Sequence, residues 1–272
     1  MSRAQTTRGA AAKDIPAPSC PRRGDAPAGM PCPPGTPHIA IRRRAAMSTI
    51  RYRILPHSER PSFSLPELFG DLAVADICDA LGRNSALPSA IKPLGAARLL
   101  GTAYTVNLPA GENLLLYYAV DNALPGDVLA VACDAYEDRA VCGEIMAALA
   151  RKRGLAGFVV DGAVRDADAL RAMDFPVYAR AVSPNGPYKD GCGEINAPIA
   201  MGNAVIRPGD ILVGDGDGLV AISRDEAEAV AERARALRDE GLRKLAAIGK
   251  TGKLNFNWLY EKLAASSCAI LD

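Results

Sequence analysis

Residues 127–179 read DVLAVACDAYEDRAVCGEIMAALARKRGLAGFVVDGAVRDADALRAMDFPVYA. The continuous apolar run at 127–133 is a buried strand, and 157–161 (GFVVD) is a second. Between them, residues 140–153 are expected to form a helix closed by Gly154, because glycine accepts the left-handed turn that ends helices. A short helix at 166–173 and a third strand at 176–179 follow. Strand, helix, strand, helix, strand with links this short means parallel pairing and crossover connections. The expected fold class is therefore α/β.

Outward from this segment the pattern changes on both sides. Upstream, Leu65, Leu68, Phe69, Leu72, Val74, Ile77 and Leu81 recur at helical spacing, which predicts one helix over 65–82 ending at Gly82. Residues 103–108 read as a strand and 113–122 as a helix, with Pro125-Gly126 a turn. Downstream, 205–209, 210–213 and 218–222 read as short strands. Pro208-Gly209 and the run Gly214-Asp215-Gly216-Asp217-Gly218 punctuate them as turns of antiparallel structure. A long charged helix is expected over 224–245, with Ala227, Val230, Ala234, Leu237, Leu242 and Leu245 along one face.

Composition excludes several functions. With 49% hydrophobic and 23% charged residues the chain is an ordinary globular sequence. Residues 1–46 hold eight Lys or Arg against two Asp, so against a whole-chain charge of +1 the remainder stands near −5. A mildly acidic body lacks the clustered Lys and Arg that nucleic acid requires. No apolar run approaches the ~20 residues of a membrane helix. The seven cysteines form no C-x-x-C pair, and the histidines are two, His38 and His57, which argues against a zinc site. Scattered thiols suit a reducing, cytoplasmic setting. Residues 1–46 carry eight prolines and few large apolar groups, and are expected to be a disordered extension. A targeting leader is one alternative, opposed by those prolines; a true start at Met47 is a plainer one. The folded domain is placed at 47–272.

In open parallel sheets, ligands bind beyond the carboxyl ends of the strands. Two loops are expected there: one after Cys133, leading to Gly143-Glu144, and one reading Asp161-Gly162-Ala163-Val164-Arg165-Asp166. Adjacent strands bring Glu144, Arg165 and Asp166 to one edge. Carboxylate oxygens suit a hard divalent cation, and the arginine fork suits a substrate carboxylate. A 2-oxo acid held this way has a polarised ketone, and the enolate left by carbon–carbon cleavage is stabilised. No lysine in this stretch is placed for a Schiff base. Taken alone, an Arg-Asp pair after a strand is more often a helix cap plus a surface charge, and Glu144 a solvated helix residue. Cys142 and Cys192 have no histidine nearby and read as incidental thiols. Glu194 fits either a ligand or a loop anchor.

Gly162-Ala163-Val164-Arg165-Asp166 after an apolar strand, preceded by Gly143-Glu144, resembles the signature of the RraA-like family. Pro125-Gly126-Asp127-Val128, Gly193-Glu194-Ile195-Asn196, Arg207-Pro208-Gly209-Asp210 and Gly214-Asp215-Gly216-Asp217-Gly218-Leu219-Val220 match in the same order. The resemblance spans about residues 70–250. It implies a swivelling β/β/α domain that assembles as a homotrimer or hexamer. It implies a magnesium- or manganese-dependent aldolase acting on 4-hydroxy-2-oxo dicarboxylic acids and releasing pyruvate, with oxaloacetate decarboxylation as a companion. Asp166 would hold the metal, Arg165 the substrate carboxylate and enolate, and the backbone amides from Gly143 through Glu144 and Ile145 to Met146 the pyruvate part. Glu144 stands twenty residues before Arg165 as the family's acid does, though the better-known aldolases have Asp there. Glu240 fits the place of an acid contributed by a neighbouring subunit. The alternative the resemblance carries is a non-catalytic regulator that binds an RNA-degrading enzyme. Such relatives lack the acid that Glu144 supplies.

Overall fold

The computed structural model describes residues 51–83, 85–266 and 268. The expectation of a disordered extension at 1–46 lies outside the described residues. The frame is a mixed sheet in which β3 (Leu99–Asn107), β4 (Asp127–Ala132), β6 (Gly157–Val164) and β7 (Val177–Val182) run parallel as neighbours. The parallel segment expected from 127–179 is therefore present, and the fold is mixed α/β. The sheet is extended by β1 (Tyr52–Ile54), β2 (Lys92–Pro93) and β8 (Gly193–Ile195), with β5 (Ala140–Cys142) beside β6. A separate two-stranded sheet pairs β9 (Ile199–Met201) with β10 (Ala204–Ile206). The hairpin of β11 (Ile211–Gly214) and β12 (Leu219–Ile222) joins antiparallel to β3, as its glycine-rich turn requires.

Strand alternation sorts the core into layers. Leu129, Val131, Phe158 and Val160 face α3 (Leu114–Asn122), α4 (Glu144–Lys152) and α5 (Ala167–Ala172), packing on Leu116, Ala147 and Leu170. Val128, Ala130, Val159 and Tyr178 share the other cluster, with Ile199, Met201 and Ile206. A third cluster sets α1 (Leu65–Phe69), α2 (Val74–Ala80) and α6 (Ala227–Thr251) on β11 and β12. After α6, α7 (Asn257–Ala265) buries no residue.

Three expectations are corrected. The helix over 65–82 is two helices, because Arg98 donates to the carbonyls of Phe69, Gly70 and Leu72 and so satisfies the break, while Asp215 Oδ2 accepts the Val74 N–H at 2.8 Å and caps α2. Residues 140–142 are a strand, paired to the end of β6 through Ala140 and Cys142 with a register shift between them, and the helix starts only after Gly143. The loop expected from Asp161 is strand up to Val164, and the turn comes at Arg165-Asp166.

Candidate functional site

The extra length of β6 carries Arg165 and Asp166 to the mouth of a cavity of about 210 Å³. That is below the ~300–1,000 Å³ of pockets for drug-sized ligands and suits an acid of a few carbons. Asp166 adopts φ 60°, ψ 41°, a left-handed conformation that side-chain-bearing residues rarely hold, though Asp tolerates it best. It stands at the N-cap of α5 but makes no side-chain bond to that helix. Its Oδ2 instead accepts the Glu144 N–H, the first amide of α4, at 3.1 Å. This departs from the helix-cap reading: the carboxylate is turned toward the cavity edge and the start of a different helix. Arg165 Nε lies 3.7 Å from the same oxygen, and both side chains are over two-fifths exposed. The Arg165 N–H donates to the Cys142 carbonyl at 3.0 Å, which locks β5 to the turn.

Gly143 joins β5 to α4 in an extended conformation open to any residue. Its need for glycine is steric: a Cβ there would stand 2.5 Å from Asp166 Oδ2 and 2.8 Å from Arg165 Cγ. Beyond it, Ala147 N–H reaches the Gly143 carbonyl at 3.1 Å. The Ile145 and Met146 amides lie in the first turn, where no carbonyl of the same helix reaches them, and both residues line the cavity. Ile145 is 77% exposed. Cys142 also lines the cavity, and burial pushes its thiol up to about 12, so it is a neutral wall atom and not a nucleophile.

The structure brings together Gly143, Ile145, Met146, Arg165 and Asp166. The Glu144 side chain is exposed and does not line the cavity; its backbone amide is what touches Asp166. Glu240 is not brought to the cavity of its own chain. It is exposed on α6, where Lys244 pairs with it at 2.6 Å and lowers its pKa. Glu194 pairs with Arg53 at 2.7 Å and lines a different cavity with Asn107, Asp134 and Cys192. Asp161, expected in the loop, lies in β6 as the partner of Arg180, whose Nε donates at 2.8 Å; the two side chains are 5% and 15% exposed.

Among the lining residues that sequence reasoning missed, Asn113, Tyr117 and Lys189 bring polar groups to the cavity. Asn113 is buried; its Nδ2 donates to the Val141 carbonyl at 2.8 Å, while its Oδ1 has no partner among the described residues. Lys189 Nζ sits 5.1 Å from the centroid of the Tyr117 ring. A lysine therefore does reach this cavity, from a loop distant in sequence. No periodic signal marks residues 183–191, so only the fold could place it.

For a divalent cation the described residues of one chain supply few ligands. Among the described residues no group of three or more His, Cys, Asp or Glu side chains converges. Asp166 spends Oδ2 on an amide, leaving Oδ1 as a single carboxylate ligand. That suits magnesium, which keeps several waters and takes one or two carboxylates.

Comparisons with known proteins give the family of the chain. A protein of Halalkalibacterium halodurans, provisionally named a 4-hydroxy-4-methyl-2-oxoglutarate aldolase, is 39% identical over 168 residues, covering 61% of this chain and 80% of its own. The solved structure of the RNA-processing inhibitor RraA from Thermus thermophilis superposes with a TM-score of 0.53 at 31% identity, covering 56% of this chain and 93% of that one. RraAS2 of Streptomyces coelicolor, described as an unusual member of the RNase ES inhibitor RraA family, gives 0.60 at 25%, covering 70% and 99%. The RraA-like family model, Aldolase/RraA, matches residues 74–221, more than half of the chain and every cavity-lining residue named above, and this chain belongs to that family.

Proposed function

We propose that this protein is a divalent-metal-dependent lyase that cleaves a carbon–carbon bond in 4-hydroxy-2-oxo dicarboxylic acids and releases pyruvate, with oxaloacetate decarboxylation as a second activity. One observation carries the reading: Arg165, Asp166 and the first-turn amides of α4 meet at one small cavity. The name of the Halalkalibacterium relative supports the aldolase class. Asp166 would hold magnesium or manganese, which when bound supplies positive charge to polarise the 2-oxo group. Arg165 presents its planar fork to the substrate carboxylate and to the oxygen that gains charge as the bond breaks. The Ile145 and Met146 amides receive the carboxylate end at the positive terminus of α4. Lys189 offers a cation to the second carboxylate. Glu144, whose side chain does not line the cavity in the single chain, would have to turn inward to take the 4-hydroxyl proton.

The active form is proposed to be a homotrimer or hexamer in which Glu240 enters the site of a neighbouring copy. Beyond residue 241 almost all of α6 is exposed, and Leu242, Leu245 and Ile248 find no cover among the described residues. The second reading is a regulator that binds an RNA-degrading enzyme, favoured by the names of the Thermus and Streptomyces relatives. The test is pyruvate release from 4-hydroxy-4-methyl-2-oxoglutarate and oxaloacetate. Activity abolished by chelator and restored by magnesium or manganese is expected. No turnover of a 2-oxo acid panel with either metal would reject the lyase, and borohydride trapping of substrate on Lys189 would replace the metal mechanism by a Schiff base.

A further inference from the structure

One wall of the cavity, holding Gly186, Pro187 and Lys189, is a loop between β7 and β8 with no regular structure beyond a single parallel bridge between Tyr188 and Glu112. Its position is set by two charged residues from elsewhere in the chain. Glu112 is 4% exposed. Its Oε1 accepts the amides of Asn113 at 2.9 Å and Leu114 at 3.1 Å, the start of α3. Its Oε2 accepts the amides of Asp190, at 3.0 Å, and Gly191, at the far end of the loop. The Tyr188 N–H reaches the Gly111 carbonyl at 2.8 Å, and the Tyr188 carbonyl receives the Asn113 N–H at 3.1 Å. On its other flank, Arg139 donates to the Gly186 carbonyl and to Tyr188 Oη at 3.1 Å, with its guanidinium 4.1 Å from the centroid of the Tyr188 ring.

We infer that Glu112 is a positioning residue for ligand binding: its carboxylate ties the start of α3 to residues 190–191 and so fixes where Lys189 and Asn113 stand around the cavity. A helix cap alone would explain the bonds to Asn113 and Leu114. It does not explain the other two, which reach 78 and 79 residues along the chain to the amides just after Lys189. Four N–H groups converge on one carboxylate, so the charge-assisted bonds are strong, and removal of either oxygen takes the acceptor from part-buried amides, Leu114 on one side and Asp190 and Gly191 on the other. Gly191 is part of the device: a Cβ there would stand 2.6 Å from Glu112 Oε2.

The kinetic part of this inference rests on the lyase reading; the structural part does not. Glu112→Gln replaces one acceptor by an NH2 group, which must face two N–H donors, and Gly191→Ala pushes the same carboxylate aside. Amide hydrogen exchange of the full chain without substrate is the first readout. Exchange faster by about tenfold at 186–191, with the central strands unchanged, is expected in both variants. Turnover of 4-hydroxy-4-methyl-2-oxoglutarate is the second. A loop that touches only the bound ligand raises KM, here by about tenfold, and leaves kcat within about twofold. A merely structural loss lowers the active fraction, so kcat falls and KM holds. Unchanged loop exchange in both variants, or loss of kcat at constant KM, overturns the inference. Loop-confined exchange in a protein inert toward every 2-oxo acid upholds the positioning role and rejects only the lyase.

Discussion

Gly143→Ala isolates the site from the fold. At φ −163°, ψ −160° alanine has no backbone penalty. The atoms nearest its methyl belong to the two site residues, Asp166 Oδ2 at 2.5 Å and Arg165 Cγ at 2.8 Å, where an ordinary contact begins at 3.4 Å. Relief therefore needs about 0.9 Å of movement, and the atom that yields is the Asp166 carboxylate. That motion breaks its bond to the Glu144 amide and changes its distance from Arg165. Displacements of this size at reacting groups cost about 100-fold in rate. Overpacking costs about 1–3 kcal/mol, and at about 2–4 °C per kcal/mol Tm falls by roughly 2–12 °C. The assay is pyruvate release per folded molecule, with folding followed by circular dichroism. A variant that loses Tm but keeps wild-type turnover would refute the reasoning, because the methyl would then have displaced something other than the pair.

Arg165→Lys keeps the charge but loses the fork, so kcat should fall by orders of magnitude while metal affinity, measured by calorimetry with manganese, changes little; Asp166→Asn should reverse that pattern. Burial pushes Cys133 and Cys142 up to about 12, against 9 for an ordinary thiol, so at pH 8 iodoacetamide should label exposed Cys192 and leave these two untouched, as mass spectrometry would show. Because these folded pKa values lie above the unfolded ones, the stability they contribute is complete below about pH 9 and is lost as pH rises toward 12, visible as a falling Tm. Arg165→Ala and Glu240→Ala should each inactivate, and co-expression should restore a fraction of activity if sites are shared. No recovery in verified mixed oligomers would reject the shared site, and full activity of Glu240→Ala alone would remove Glu240 from the mechanism.

What the sequence showed follows from which forces act locally. The runs at 127–133 and 157–161 are apolar on both faces because the sheet is covered on both, and that needs no knowledge of partners. The break in the first helix depends on Arg98, which supplies the missing donors from 26 or more residues away. Residues 140–142 are too few to distinguish a period of 2 from one of 3.6, so the strand there merged with the helix after it. Arg165 and Asp166 were legible as cavity residues because they end a parallel strand, and ligands of open parallel sheets bind beyond the carboxyl ends of the strands. Lys189 was not, because Glu112 and Arg139 place its loop through bonds of long sequence separation. α7 was missed for the opposite reason: with no buried face it carries no amphipathic pattern.

The donor set itself argues for a site completed by another copy. Asp166 brings one carboxylate to the cavity, and half of it is bound to an amide of α4. Glu144 is near in chain position but turned outward, and no third acid joins them among the described residues. A cation held by one carboxylate keeps most of its water, so its affinity in a single chain is low and its hydration shell is open to a further oxygen ligand. α6 packs against α1, α2 and the hairpin, a cluster separate from the one that supports the cavity, and then continues past the body with its apolar residues bare. Under the proposed assembly such an arm would be covered by a second molecule, and Glu240 lies where α6 leaves the body. Assembly and metal affinity should then be coupled: dilution that separates the copies weakens manganese binding and turnover together, whereas a site complete in one chain would hold its metal at any concentration.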